Sequence, residues 1–265
     1  TKDKQVAKQL KPKAELELLS QLTGTVEPSK NLSFSELVKC YLKADHNWSK
    51  RTNELNEYVF RSYQSGKRLP LNPTSRSIFV RTINACWNWG LKQSLITKAY
   101  KLEGDTRGES RNRALSDSEL KTLLDNLRDK RFNLFVRFAY YTGARRGEIN
   151  SISRENIFSN HIVAYGKCGK RLIKLNNQAQ EILSELDELW SYSKDFVSHK
   201  FKKEARRLGI PDIRFHDLRR TFGYNLIRQG RPIYEVSKLL GHSSVTTTER
   251  HYAPLLSTEI DDFVL

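Results

Sequence analysis

The chain has 265 residues, more than a single domain usually needs, and its 38% hydrophobic content is enough for one or two packed cores. Its 46 lysines and arginines outnumber 30 aspartates and glutamates, and the formal net charge of +16 attracts polyanions such as DNA, RNA or an anionic membrane surface. No segment approaches the roughly 20 apolar residues of a membrane span, and no signal peptide is visible, so we expect no insertion into a membrane.

Cysteine usage points to a reducing compartment. Cys40, Cys86 and Cys168 are odd in number and far apart, so they form neither a disulfide framework nor a pair with metal-ligand spacing. We therefore expect a cytoplasmic protein. The chain starts at Thr1 and contains no methionine, which predicts a fragment or a processed form that lacks its natural start and any module before it.

The first part of the chain predicts a tail and then an all-helical domain. Residues 1–30 are rich in Lys, Glu and Gln with little apolar periodicity, which is typical of a partly disordered tail or linker. From Ser33 onward apolar residues recur at helical spacing, with Ser33 or Ser35 as the N-cap, and no strand-like alternation competes. A helical domain is expected over residues 31–103.

A basic run without acidic residues lies inside this domain. Eight basic residues and no acidic one occur between positions 61 and 101: Arg61, Lys67, Arg68, Arg76, Arg81, Lys92, Lys98 and Lys101. Such a run is as typical of a solvated surface as of a nucleic-acid-binding face. The charge of the whole chain favours DNA.

The second domain is predicted to combine helices with one β-hairpin. Residues 104–112 contain two glycines and no hydrophobic residue, which is typical of a linker. Ser116 and Glu119 fit a capping box at the next helix start, and β-prone runs at 161–165 and 171–175 flank a glycine-containing turn. The expected fold class is mainly α: a helical domain, then a mixed α+β domain over 113–265 with a small antiparallel sheet or hairpin.

Cationic residues recur at the helix ends of this second domain. Arg145 follows a predicted helix end, and Glu148 is placed to hold it or a backbone amide. His216 and Arg219 are spaced to share one helix face, and Gly223 one turn further on leaves room for a close approach. Taken singly, these residues also suit ordinary roles as surface ion pairs or a buried histidine.

Two further residues follow in the same domain. His242 comes directly after a predicted helix stop at Gly241, and Tyr252 lies ten residues later on a helical segment. A histidine in this position is often only a helix cap, and a single tyrosine is more often a packing aromatic. The order and spacing of the whole set therefore carry more information than any member.

This set resembles the tyrosine recombinases, the phage integrase family. The shared pattern is T-G-x-R-x-x-E from Thr142, a lysine in a hairpin turn, H-x-x-R from His216, L-G-H ending at His242, and Tyr252. The resemblance covers about residues 113–252, and the helical first domain is similar to the family's core-binding domain. It implies six catalytic residues: Arg145, Lys167, His216, Arg219, His242 and the nucleophile Tyr252.

The family pattern also chooses between neighbours. It selects Arg145 over Arg146 and Tyr252 over His251. It favours Lys167 as the general acid, with Lys170 as the alternative. Arg220 stands where the family more often has histidine, which affects no catalytic position.

The chemistry implied is cleavage and rejoining of DNA strands through a 3′-phosphotyrosyl link, for which we expect no cofactor. No carboxylate cluster or Cys-His spacing suits a metal. The implied partners are double-stranded DNA target sites, with the protein assembled on them as a homotetramer, and accessory DNA-bending proteins are possible further partners. The implied location is nucleoid-associated, in a prokaryote or a phage-infected cell. A missing arm-binding module would precede residue 1, and the C-terminal segment 254–265 would dock either on its own domain or on a neighbouring protomer.

Three other functional classes fit part of the pattern. A non-catalytic DNA-binding protein on the same fold lacks only the reaction, and a type IB topoisomerase shares the nucleophile but relaxes DNA without exchanging partners. An RNA-binding module is suggested by charge alone. The motifs encode neither the target sequence nor the choice among integration into a mobile-element site, excision, inversion and dimer resolution.

Overall fold

The computed structural model describes residues 31–108, 111–166 and 169–256. These residues belong to two units that divide between Glu109 and Ser110, inside the segment 104–112 predicted as a linker. The predicted tail 1–30, the turn residues Lys167 and Cys168, and the segment 257–265 lie outside the described residues. Within the described ranges, no helix is long and apolar enough to cross a membrane.

The described part of the first unit contains three α-helices, as the sequence predicts. They are α1 (Phe34–Lys43), α2 (Lys50–Gln64) and α3 (Pro73–Lys92). Helix α1 begins at a capping box, in which the Ser33 side chain accepts from the Glu36 amide and the Glu36 carboxylate accepts from the Ser33 amide at 3.0 Å. Apolar and aromatic side chains of the three helices form one core, which includes Leu37, Phe60, Ile83 and Trp87.

The predicted basic run lies on the surface of this unit. All eight of its lysines and arginines are exposed, whereas Phe79, Ile83 and Trp87, which lie between them in sequence, pack into the core. The run therefore supplies an unshielded positive surface. This arrangement suits an anionic partner.

The second unit is helical around one small sheet. Its elements are α4 (Asp117–Asn126), α5 (Lys130–Thr142), the single turn α6 (Arg146–Ile149), a 3₁₀ turn (Arg154–Asn156), β1 (His161–Gly166), β2 (Gly169–Lys174), α7 (Asn177–Ser184), α8 (Lys194–Arg207), α9 (Phe215–Arg228), α10 (Ile233–Leu240) and α11 (Val245–Leu256). The predicted capping box at Ser116 and Glu119 is present. Helix α5 supplies Phe132, Phe135 and Phe138 to the main core.

The predicted hairpin is confirmed, with strands slightly displaced along the chain. Strands β1 and β2 pair antiparallel from His161 opposite Lys174 to Gly166 opposite Gly169. The described pairing ends at Gly166 and Gly169, and the two residues between them lie outside the described part of the chain. The strands therefore include Gly166 and Gly169 and end before Leu175.

Two left-handed glycines end the helices that lead into the candidate site. Gly143 after α5 has φ 60° and Gly241 after α10 has φ 61°, a conformation that other residues adopt only with strain. The chain therefore turns sharply just before Arg145 and just before His242. Both predicted helix ends are confirmed.

The capping box of α1 gives a direct stability test. Ser33→Ala removes the side-chain acceptor of the Glu36 amide, and we expect it to lower the free energy of unfolding by about 1 kcal/mol. Ser35→Ala, in the first turn and exposed, is the matched control and should change it by less than about 0.5 kcal/mol. Urea unfolding of the whole chain, followed by circular dichroism, compares the two; equal losses would contradict the cap assignment.

Candidate active site

A cleft of about 320 Å³ in the second unit brings together three of the predicted residues. Arg145, His216 and Arg219 line it. The other polar or charged side chains along its wall are Arg146, Lys194, Ser198 and Arg214. The lining is thus strongly cationic and contains no carboxylate, which suits an anionic group such as a phosphate.

Arg145 is fixed by Glu148, as the spacing predicted. The Glu148 carboxylate accepts from the Arg145 amide at 2.8 Å and from Arg145 Nη1 at 2.6 Å. Glu148 is only 2% exposed, whereas the Arg145 side chain keeps 33% of its surface exposed. The guanidinium is therefore anchored from inside while part of it stays accessible. Neighbouring Arg146 instead donates to the Lys194 carbonyl and the Ser198 hydroxyl on α8.

Arg219 is held between two helix ends. Its Nη1 donates to the Gly143 carbonyl at 2.6 Å and its Nη2 to the Leu240 carbonyl. Carbonyls at the C-terminal end of a helix carry partial negative charge, so they stabilise a guanidinium that is only 4% exposed. Burial, with Arg145 and Arg171 nearby, lowers the pKa of Arg219 to about 9. Arg219 therefore remains a cation at neutral pH.

His216 lies in the first turn of α9, where its ring is exposed along the cleft. The protein atoms crowded around the ring, together with the guanidinium groups of Arg219 and Arg220, lower the pKa of His216 to about 4. Its imidazole is consequently neutral at pH 7 and able to accept a proton. Asp217, buried beside it, accepts from the Arg214 amide at 2.8 Å and fixes the start of the helix.

His242 follows the helix stop at Gly241 and is oriented by α11. Its Nδ1 lies 2.8 Å from the hydroxyl of buried Thr248, which fixes the ring and leaves Nε2 for another partner. Burial and the nearby cations Arg219 and Arg145 lower the pKa of His242 to about 3. Both candidate histidines are therefore neutral next to arginines that keep their charge.

Tyr252 lies beside Arg219 but is withdrawn from the cleft lining. It is 2% exposed, and its hydroxyl makes a long contact of 3.5 Å to the Arg219 backbone carbonyl. A Cβ at Gly223 would lie 2.6 Å from Tyr252 Cζ and closer still to the hydroxyl oxygen, so the close approach predicted at Gly223 is made by this tyrosine. Burial raises the pKa of Tyr252 to about 12. The ring of His251 lies near His242, with 6.3 Å between their centroids.

The candidate general acid stays a prediction. Lys167 lies outside the described residues, and Lys170 at the start of β2 is exposed. Lys167 remains the prediction and Lys170 the alternative.

Arg171 on β2 was missed by sequence reasoning. Its side chain is 10% exposed, and it donates to the Leu240 carbonyl at 2.5 Å and the Leu239 carbonyl at 2.9 Å. It also contacts the Glu148 carboxylate at 3.3 Å. The period-two pattern of the strand contained the signal, because Arg171 shares a face with buried Ile173.

The described residues also offer no grouping of three or more His, Cys, Asp or Glu side chains that could hold a metal ion. The positive charge near the cleft comes from arginine and lysine side chains. These need no bound ion to interact with a phosphate.

The raised pKa of Tyr252 predicts a pH-dependent contribution to stability. The folded-state pKa lies near 12 and the ordinary value is 10, so the stabilisation is complete below pH 10 and is lost as pH rises through 12. Between about pH 8 and about pH 11, urea midpoints of the wild type should fall further than those of Tyr252→Phe. Tyr234→Phe, at an exposed position on α10, is the control and should follow the wild type. Identical pH dependence in all three proteins would contradict the burial of Tyr252.

The tight contact at Gly223 predicts a second stability effect. Gly223→Ala places a methyl group against the Tyr252 phenol, and we expect it to lower the free energy of unfolding by about 1–3 kcal/mol through overpacking. Gly147→Ala gains the same helical propensity, but its Cβ would meet nothing within 4 Å. Urea unfolding should therefore separate the two variants, and equal midpoints would be inconsistent with the packing described.

Comparisons with known proteins find similarity both in sequence and in fold. The model of the phage integrase family matches residues 191–259. Tyrosine recombinase XerC of Staphylococcus aureus (strain USA300 / TCH1516) is 25% identical over 232 residues, which cover 75% of this chain and 78% of that protein. A lambda integrase dimer bound to a COC′ core site has a TM-score of 0.71 at 16% identity, over 87% of this chain and 99% of that one. A lambda integrase tetramer bound to a Holliday junction has a TM-score of 0.68 at 18% identity, over 92% and 89%. Part of the chain thus matches the phage integrase family, and the chain as a whole is similar to tyrosine recombinases in sequence and in fold.

Proposed function

We propose that this protein is a site-specific DNA recombinase in which Tyr252 cleaves and rejoins DNA strands through a 3′-phosphotyrosyl intermediate. The observation that carries the proposal is the cleft lined by Arg145, His216 and Arg219, with the Tyr252 phenol packed against the helix that bears two of them. Two cations, a neutral imidazole and a phenol are the groups that this reaction needs.

The two arginines bind the scissile phosphate. Each guanidinium donates to its non-bridging oxygens, and these bonds strengthen as the pentacoordinate transition state gains negative charge. Arg145 has an accessible guanidinium surface anchored by Glu148. Arg219 is held by two backbone carbonyls, so both cations keep their positions while charge builds up on the phosphate.

The remaining residues move protons. His216 accepts the phenolic proton as Tyr252 forms its bond to phosphorus, and His242 donates to a non-bridging oxygen. The bond from phosphorus to the 5′ oxygen breaks, and Lys167 or Lys170 supplies the proton that this oxygen needs. Rejoining reverses each transfer, because the phosphotyrosyl bond stores the energy of the broken bond.

Attack on the phosphate requires Tyr252 to move out of its buried position. The hydroxyl is buried against Gly223 and the Arg219 carbonyl, and the tyrosine is not part of the cleft lining. Productive DNA binding must therefore move α11 or its tyrosine towards the phosphate. Burial also raises the pKa of the phenol, which disfavours the phenolate as long as the side chain stays buried.

The DNA partner and the assembly are inferred from surface charge and from the relatives. The exposed basic run of the first unit and the exposed Lys202, Lys203 and Arg206 of α8 suit contacts to phosphates. Since one active site cuts one strand, exchange between two duplexes needs four protomers, in line with the lambda integrase tetramer described on a Holliday junction. Accessory DNA-bending proteins and a cytoplasmic location complete the proposal.

Covalent capture tests the reaction itself. The protein is incubated with sheared duplex DNA from the region flanking its gene. After denaturation, covalent protein–DNA adducts are recovered and their DNA is sequenced. The site found in this way is then synthesised as a nicked suicide substrate. Wild type should form the adduct in the presence of EDTA, and Tyr252→Phe should form none. Wild-type adducts that lead only to supercoil relaxation on DNA without the site would favour a type IB topoisomerase, and absence of adducts at every flanking fragment would count against both.

The choice between the adjacent arginines has its own test on that substrate. Arg145→Ala should slow cleavage by about 10²–10³, the usual effect of removing one transition-state donor. Arg146→Ala should have a much smaller effect, because the Arg146 guanidinium is engaged with α8. Single-turnover cleavage at saturating DNA measures both, and a larger loss for Arg146→Ala would reverse the assignment.

A further inference from the structure

Arg171 connects the two arginines of the cleft through an unbroken series of contacts. Glu148 accepts from Arg145 through one carboxylate oxygen, at 2.6 Å, and contacts Arg171 through the other, at 3.3 Å. The same Nη1 of Arg171 donates to the Leu240 carbonyl at 2.5 Å. That carbonyl also accepts from Nη2 of Arg219.

The surroundings of Arg171 leave its guanidinium little freedom. The side chain is 10% exposed, and Nη2 is bound to the Leu239 carbonyl at 2.9 Å. The chain makes room for it at Gly241, where a Cβ would lie 2.6 Å from Arg171 Cδ. Any larger residue at position 241 would displace the arginine.

Two features of the buried Arg171 guanidinium are unfavourable for the stability of the fold. Its Nε is buried without a hydrogen-bond partner among the described residues, which carries a desolvation cost. Burial and nearby Arg145 also lower its pKa, while Glu148 opposes this. A cation retained under these conditions between two others points to a role in the site rather than in the core.

We propose that Arg171 is a positioning residue that fixes the distance between the Arg145 and Arg219 guanidiniums. This distance allows both guanidiniums to bind the scissile phosphate at the same time. The inference rests on the proposed recombinase function. Arg171 acts through Glu148 and the Leu240 carbonyl and does not itself touch DNA. Its loss should therefore reduce the cleavage rate and leave DNA affinity unchanged.

A matched arginine elsewhere in the unit provides the control. Arg154 donates to the Leu186 carbonyl at 2.6 Å and to the Asp187 carbonyl at 2.9 Å, just beyond the end of α7. Arg154→Leu thus removes the same kind of backbone contact as Arg171→Leu, but away from the cleft lining. It should leave cleavage within about twofold of wild type.

The measurements use the nicked suicide substrate recovered with the wild type. We expect Arg171→Leu to slow single-turnover cleavage at least tenfold, with the DNA dissociation constant within about twofold. Arg171→Lys, whose single ammonium cannot reach all three acceptors, should fall between wild type and Arg171→Leu. The double variant Arg171→Lys with Glu148→Gln should be no slower than the worse single variant, because both changes interrupt one series of contacts.

A second substrate separates positioning of the phosphate ligands from positioning of the general acid. With a 5′-bridging phosphorothiolate, the sulfur leaves without protonation, so a defect in the hairpin lysine is relieved. Arg171→Leu and Arg171→Lys should stay slow on this substrate, whereas Lys167→Ala with Lys170→Ala should recover. Recovery of the Arg171 variants would overturn the proposal.

The outcomes remain distinct from failure of the proposed function. If the wild type forms no adduct, the recombinase assignment itself fails. If the wild type cleaves and Arg171→Lys cleaves within about twofold of it, only the positioning role is refuted. Arg171→Lys serves as the deciding variant if Arg171→Leu does not fold, and strictly additive losses with Glu148→Gln would also refute the role.

Discussion

The buried carboxylate of Glu148 is the constraint on which the candidate site depends. It is shared between Arg145 and Arg171, and it also accepts from the amide where α6 begins. Removing one partner of a buried ion pair typically costs about 3–5 kcal/mol. The folded state therefore requires the carboxylate and its arginine partners to be in contact. Glu148 thereby links a helix start, a strand of the hairpin and one side of the cleft in a single arrangement.

This arrangement separates fixed charge from exchangeable protons. The arginines keep their charge. Desolvation by the surrounding protein atoms and the positive charge of these arginines together lower the pKa of His216 and His242. The histidines are therefore neutral before DNA arrives, and an anionic phosphate placed between them and the arginines would favour their protonated forms. In the proposed reaction, the arginines therefore stabilise charge and the histidines handle protons, so transition-state stabilisation and general base catalysis use different side chains.

The helix caps and helix ends were predictable from the sequence because they depend on interactions between residues close together in the chain. Ser116 with Glu119, and Gly143 and Gly241 after their helices, act over a few residues, and these caps and helix ends were confirmed. The contact of Arg171 with Leu240 spans 69 positions, and the burial of Tyr252 depends on the packing of α9 against α11. Such long-range features follow from tertiary structure, which spacing along the chain does not encode.

If Tyr252 is the nucleophile, as proposed, its burial means that cutting DNA requires more free energy from the bound DNA than binding alone does. Moving a large apolar side chain from a packed site into water costs about 1.5–3 kcal/mol. At 1.4 kcal/mol per factor of ten, this lowers the population of the exposed conformation by roughly tenfold to more than a hundredfold. A DNA sequence that binds without supplying this energy leaves the phenol against Gly223 and stays intact. In the proposed reaction, binding to non-cognate DNA would therefore not lead to strand breakage, because moving Tyr252 out of its packed position carries a conformational cost.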